Sequence, residues 1–235
     1  MKPILFNQEM VKAILDNRKS CTRRLVKPQP RESQIHKLGY CIDGDKRDIG
    51  KFGFGSNEHG GHVKFVSVPF EVGDILYVRE TFAVGKIESG EESDGSERLY
   101  ISQCDGENDI IPKEYAIRNN IGVDNVIWKP SLFMPKEAAR IFLKVTDVRV
   151  ERLQDITEEQ VIKEGISPYD DICQDERWKP TYNDPDSGGE PQLKQGFEIL
   201  WNSTVKEDWQ KFASNPWVWV IDFERISKEE TEQEN

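Results

Sequence analysis

Ile4, Leu5 and Phe6 make a short apolar run that predicts a strand. Asn7 follows and suits a helix N-cap. Met10, Val11, Ile14 and Leu15 then recur at helical spacing, so one helix face packs inward. Asn17 fits the left-handed position where a helix stops. Pro28 and Pro30 impose an extended segment. After Val72-Gly73-Asp74, a turn, Ile75 to Phe82 reads as a strand with Leu76, Val78, Glu80 and Phe82 on one face. Glu80 on that apolar face requires a cationic or hydrogen-bonding partner.

Trp128 to Met134 leads into a long strand, Ala139 to Leu153. Its apolar parity changes from Ile141, Leu143 and Val145 to Val148 and Val150, which predicts a bulge near Thr146-Asp147. Thr157 and Gln160 have capping-box spacing, and Ile156 with Val161 has staple spacing, so a helix starts there. Gly165 ends it. Glu164 falls in its last turn, where the helix dipole disfavours a carboxylate. Phe197, Leu200 and Trp201 mark another helix. The final strand, Trp217 to Ile226, is apolar on both faces over most of its length and is therefore expected at the centre of a sheet. The acidic tail from Ser227 is expected to fray. Three polar stretches, 31–68, 84–127 and 167–195, separate these elements and read as insertions. The expectation is an α+β chain forming one domain over 1–226. Its core is a small β-barrel of about five to six strands with short flanking helices.

Composition narrows the class. Charged residues make up 32 % of the 235 and hydrophobic ones 36 %, which suits a water-exposed globular chain. No run approaches the roughly 18 apolar residues of a membrane helix, so no membrane partner is expected. The four cysteines are scattered and form no CxxC pair, which argues against a cysteine zinc site. His59 and His62 have HxxH spacing without a third ligand nearby, so neither metal nor cofactor is called for. With no secretory leader pattern, a reducing cytoplasm is expected.

Charge is unevenly distributed. The net charge is −11, which counts against a general nucleic-acid binder. Residues 1–31, however, carry eight cations against two anions, a net +6, leaving −17 on the rest. Half of those cations sit within Asp16-Asn17-Arg18-Lys19-Ser20-Cys21-Thr22-Arg23-Arg24, just where the first helix ends. A local anion site on an otherwise repelling body is the reading that follows; a solvated basic loop is the plainer alternative.

The motifs together resemble the ASCH domain of the PUA-like β-barrel superfamily. That family carries GxKxxTxR after a helix, matched here by Asn17 to Arg24 with Asn17 in place of glycine. The Val72 to Phe82 segment, Val148 to Leu153, Ile156 to Gly165 and Asn215 to Phe223 also fit, and the whole is most similar to the larger ASCH proteins of bacteriophages and prophages. The resemblance covers about half the chain. It implies a cleft that binds RNA or a modified nucleoside or nucleotide, in a phage or prophage protein acting in the bacterial cytoplasm. Arg18, Arg23, Arg24 and Glu80 are the candidate ligand contacts, and Trp128, Trp217 or Trp219 offers a possible stacking surface. Some small bacterial ASCH proteins are amidohydrolases that remove the acetyl group of acetylcytidine. Their lysine, threonine and glutamate match Lys19, Thr22 and Glu164, which makes hydrolysis of an acylated nucleoside the alternative function. A third possibility is a protein-interaction factor using the acidic insertions.

Overall fold

A computed structural model describes residues 1–30, 36–86, 98–102, 128–166 and 193–233. The described chain is mixed α+β. Its largest sheet has five strands in the order β1 (Lys2–Leu5), β6 (Ile75–Arg79), β10 (Phe142–Arg152), β11 (Trp217–Ile226) and β2 (Cys21–Leu25). Two three-stranded sheets join β3 (His36–Tyr40), β4 (Phe52–Gly55) and β5 (Lys64–Val66), and β8 (Arg98–Ser102), β7 (Phe82–Lys86) and β9 (Trp128–Lys129). Among the described residues the large sheet is open, with β1 and β2 as its edges. The chain divides into two compact units, with boundaries inside β10 after Lys144 and inside β11 after Glu224.

The first unit comprises residues 1–17, 74–144 and 225–235. In it, β1 runs parallel to β6, and β6 pairs antiparallel with Phe142 to Lys144 of β10. Helix α1 (Gln8–Leu15) starts as its sequence predicts: the Asn7 side chain accepts from the Met10 N–H. Asn17 takes φ +57°, the left-handed conformation that ends the helix. Val11, Ala13 and Ile14 are buried, as are Ile4, Leu76, Val78, Ile141 and Leu143. The strand predicted to reach Phe82 stops at Arg79; Glu80 and Thr81 lie outside it, and β7 begins a new sheet. The tail is also more ordered than expected. Helix α4 (Lys228–Gln233) forms beyond Ser227, where Ser227 and Glu230 exchange backbone-to-side-chain hydrogen bonds in a capping box.

The second unit comprises residues 18–73 and 145–224. Strand β2 pairs antiparallel with β11, from Leu25 opposite Val218 to Cys21 opposite Asp222. β11 lies inside the sheet, as its two apolar faces require. The stretch read as an insertion, 31–68, has its own regular structure, the β3-β4-β5 meander. Its Phe52 and Phe54 are buried against Trp219 and Trp217, with ring centroids 5.8 and 5.3 Å apart. Gly53 lies between them opposite Phe65, and a Cβ there would come within 3.3 Å of that ring. Exposed Thr146 and Asp147 sit side by side in β10, and the buried parity changes across them as predicted. Helix α2 (Glu158–Lys163) has the full Thr157/Gln160 capping box, and Ile156 and Val161 are both buried. Helix α3 (Leu193–Thr204) buries Phe197, Leu200 and Trp201. Residues 167–192, most of the third insertion, lie outside the described residues.

Candidate functional site at the start of β2

The basic stretch leaves α1 and meets the far end of α2. Lys19 forms an isolated antiparallel bridge with Glu164, and the Ser20 N–H donates to the Lys163 carbonyl at 2.9 Å. Glu164 is the C-cap residue of α2, and Gly165 with φ +90° turns the chain away. The carboxylate that the helix dipole disfavours is thus held by cations. Lys19 Nζ donates to Glu164 Oε2 at 2.6 Å and to the Glu164 carbonyl at 2.8 Å. Arg23 Nη1 donates to Glu164 Oε1 at 3.1 Å. Lys19, Thr22, Arg23 and Glu164 are only 4, 3, 3 and 5 % exposed. Arg18 is half-buried and donates to the Gly165 carbonyl at 2.9 Å.

The network extends to residues that the sequence did not mark as part of a site. Arg23 Nη2 donates to Gln160 Oε1 at 2.8 Å and lies 3.4 Å from Glu151 Oε2. Glu151 also accepts from Arg149 Nε at 2.7 Å, and Arg149 bridges onward to Asp147 and Asp222. Gln160 therefore serves two masters, the α2 cap and Arg23. Its sequence signal, a cap residue at N3, disclosed only the first. Arg149 and Glu151 alternate with buried Val148 and Val150 along β10, a strand that also carries Lys144, Asp147 and Arg152, so nothing local set these two apart. The Arg23 guanidinium lies 5.8 Å from the Phe197 ring centroid, and its Nε is buried without a hydrogen-bond partner among the described residues.

Within β2 the side chains alternate. Cys21 and Arg23 share one face; Thr22 and Arg24 share the other with Ile221 and Trp219, which stand opposite them on β11. Arg24 is half-buried. Burial lowers its pKa, and the attraction of Glu164 opposes that shift. No hydrogen bond joins the Thr22 hydroxyl to Lys19 or Glu164 among the described residues. Burial likewise lowers the Lys19 pKa, against the pull of the Glu164 carboxylate. Burial raises the Cys21 thiol pKa, and Glu164 and Asp222 raise it further.

Glu80 belongs to the first unit, is 2 % exposed, and is gripped by Arg140 through Nε at 2.9 Å and Nη2 at 3.2 Å. The partner its apolar strand face demanded is therefore an arginine sixty residues on. Trp217 and Trp219 are buried in the core and do not offer stacking faces. His59 is exposed, and among the described residues no group of three potential metal ligands occurs. The acidic run 88–97 lies outside the described residues. No helix among the described residues is long and apolar enough to cross a membrane. Comparison of the chain with protein-family models, with curated proteins and with solved structures finds no match.

Proposed function

We propose that the protein is an ASCH-type, PUA-like domain that binds RNA or a modified nucleoside or nucleotide at the β2 start. In this reading the open five-stranded sheet belongs to a PUA-like barrel. The observation that carries it is a division of labour among four neighbouring cations. Lys19 and Arg23 are neutralised internally by Glu164 and Glu151 and act as a frame. Arg18 and Arg24, at either end of that frame, remain partly exposed. Cations held in place lose less freedom when they accept a phosphate or a base edge, and a guanidinium suits either.

The test is a binding screen of short RNAs and free modified nucleosides against the wild type, Arg18→Gln and Arg24→Gln. Saturable binding that weakens in both variants is expected. Affinity indifferent to both arginines would sink the reading.

Amide hydrolysis is the second reading, and one observation favours it: burial moves the Lys19 pKa down, toward the neutral form a base requires. Thr22 Oγ1 would attack the acyl carbonyl and pass its proton to neutral Lys19 or to Glu164; that proton would go to the nucleoside amine as the C–N bond breaks, and water would then hydrolyse the threonyl ester to the free acid and restore the hydroxyl. Two acceptors on the Lys19 ammonium, and a Thr22 hydroxyl not bonded to it, place this reading behind binding. Incubation with acetylcytidine decides it: cytidine formed by the wild type but not by Thr22→Val supports turnover, and no cytidine refutes it.

A further inference from the structure

The Gln160 amide is clamped at its oxygen and unpaired at its nitrogen. Oε1 accepts from the Thr157 N–H at 3.0 Å and from Arg23 Nη2 at 2.8 Å. A backbone N–H and a guanidinium can only donate, so the atom between them is the amide oxygen, and both of its lone pairs are filled. The orientation of the amide is thereby fixed. Its NH2 group has no hydrogen-bond partner among the described residues, and the side chain belongs to a half-buried residue.

This donor belongs to the β2 frame. Gln160 and Glu164 are four residues apart, one turn of α2, and so share a helix face. One guanidinium joins them, Arg23 Nη2 to Gln160 and Arg23 Nη1 to Glu164. Lys19 meets the same carboxylate from β2's start. Arg24 feels it as well, since the attraction of Glu164 opposes the effect of burial on the Arg24 pKa.

On the basis of the binding function proposed above, we infer that Gln160 reads the base of the ligand: its amide donates to a ring carbonyl oxygen, so the site takes uracil in preference to cytosine. With its oxygen spent, the amide cannot accept. The exocyclic amine that cytosine carries where uracil has a carbonyl would meet only further N–H groups and lose its acceptor. Phosphate oxygens find better partners in guanidiniums such as Arg18 and Arg24, which leaves the neutral amide for the base. An amide already held by two bonds loses little freedom on binding. Single-stranded RNA exposes this base edge.

The probes are fluorescein-labelled octauridylate and octacytidylate, read by anisotropy at one salt concentration. Their phosphates are identical, so the ratio of the two affinities cancels general charge. Wild type should bind octauridylate about tenfold tighter than octacytidylate. Gln160→Glu keeps an acceptor for the Thr157 N–H and for Arg23, because a capping box takes glutamate as well as glutamine. It replaces the donor with a carboxylate oxygen, which accepts from the cytosine amine. The variant should therefore keep the wild-type circular dichroism spectrum and invert the ratio in favour of octacytidylate. Equal affinity of the wild type for the two octamers overturns the inference and leaves the proposed function standing. A uridine preference that survives Gln160→Glu also overturns it, because another residue then reads the base. No saturable binding of either octamer removes the RNA-binding reading and this inference with it.

Discussion

Replacing Glu164 with glutamine should destabilise the second unit more than any other single change at the β2 site. The carboxylate accepts from two cations whose side chains are each 1 % exposed, Lys19 at 2.6 Å and Arg23 at 3.1 Å. Removing one partner of a buried pair costs about 3–5 kcal/mol, chiefly because the remaining charge is left buried and uncompensated. Glutamine keeps one oxygen acceptor. Lys19 also keeps the Glu164 carbonyl, and Arg23 keeps Gln160 and Glu151. The loss should therefore sit near the lower bound, about 3 kcal/mol. At roughly 2–4 °C per kcal/mol for a chain of this size, Tm should fall by about 6–12 °C. Lys19→Met is the informative comparison. It leaves Glu164 still paired with Arg23, so it should cost less, about 1–2 kcal/mol by the same reasoning. Urea denaturation followed by circular dichroism, with thermal melts alongside, measures both. A Glu164→Gln loss below about 1 kcal/mol, or a larger loss for Lys19→Met, would refute the picture of one carboxylate restraining two buried cations.

Other expectations follow from the same geometry. Gln160→Ala removes both the α2 cap bond and the Arg23 bond, so it should cost about 2 kcal/mol, against about 1 for Thr157→Ala; equal losses in urea titrations would separate Gln160 from Arg23. The folded Cys21 thiol holds its proton above its ordinary pKa of 9.0, whereas the unfolded thiol does not. Its contribution is intact below pH 9 and declines above it by about 1.4 kcal/mol per pH unit until the folded thiol ionises. Cys21→Ala should flatten that alkaline decline, and an unchanged slope in stability against pH would contradict it. Asn17→Gly should be neutral within about 0.5 kcal/mol because φ is +57°, while Asn17→Val should cost about 1–3 kcal/mol in the same assay.

The parts of this fold that were legible in the sequence are those set by local chemistry. Asn7, Asn17 and the Thr157/Gln160 box act within four residues of themselves, and each took the role its side chain dictates. The β10 parity change is also a local pattern. Illegible were elements whose reason for being lies far along the chain. Phe52-Gly53-Phe54-Gly55 resembles a flexible loop until Trp217 and Trp219 are brought over it; the glycines then mark close packing. The Ser227/Glu230 cap is local and was open to notice, but the surrounding acidic residues masked it.

The candidate site divides along the same line. The basic stretch and Glu164 at the end of its helix were both visible as separate oddities. That one neutralises the other, across 145 residues, was not encoded in either neighbourhood. Arg140 for Glu80 and Glu151 for Arg23 are long-range in the same sense.

The central claim is that Arg24, beside the framed pair of Lys19 and Arg23, contacts an anionic or nucleotide ligand. Titrating a short labelled RNA into wild type and Arg24→Gln across a series of salt concentrations tests it most directly. The wild type should bind with an affinity that falls as salt rises, and the variant should bind more weakly with a salt slope shallower by about one ion. Identical affinities and slopes for the two proteins would contradict the claim.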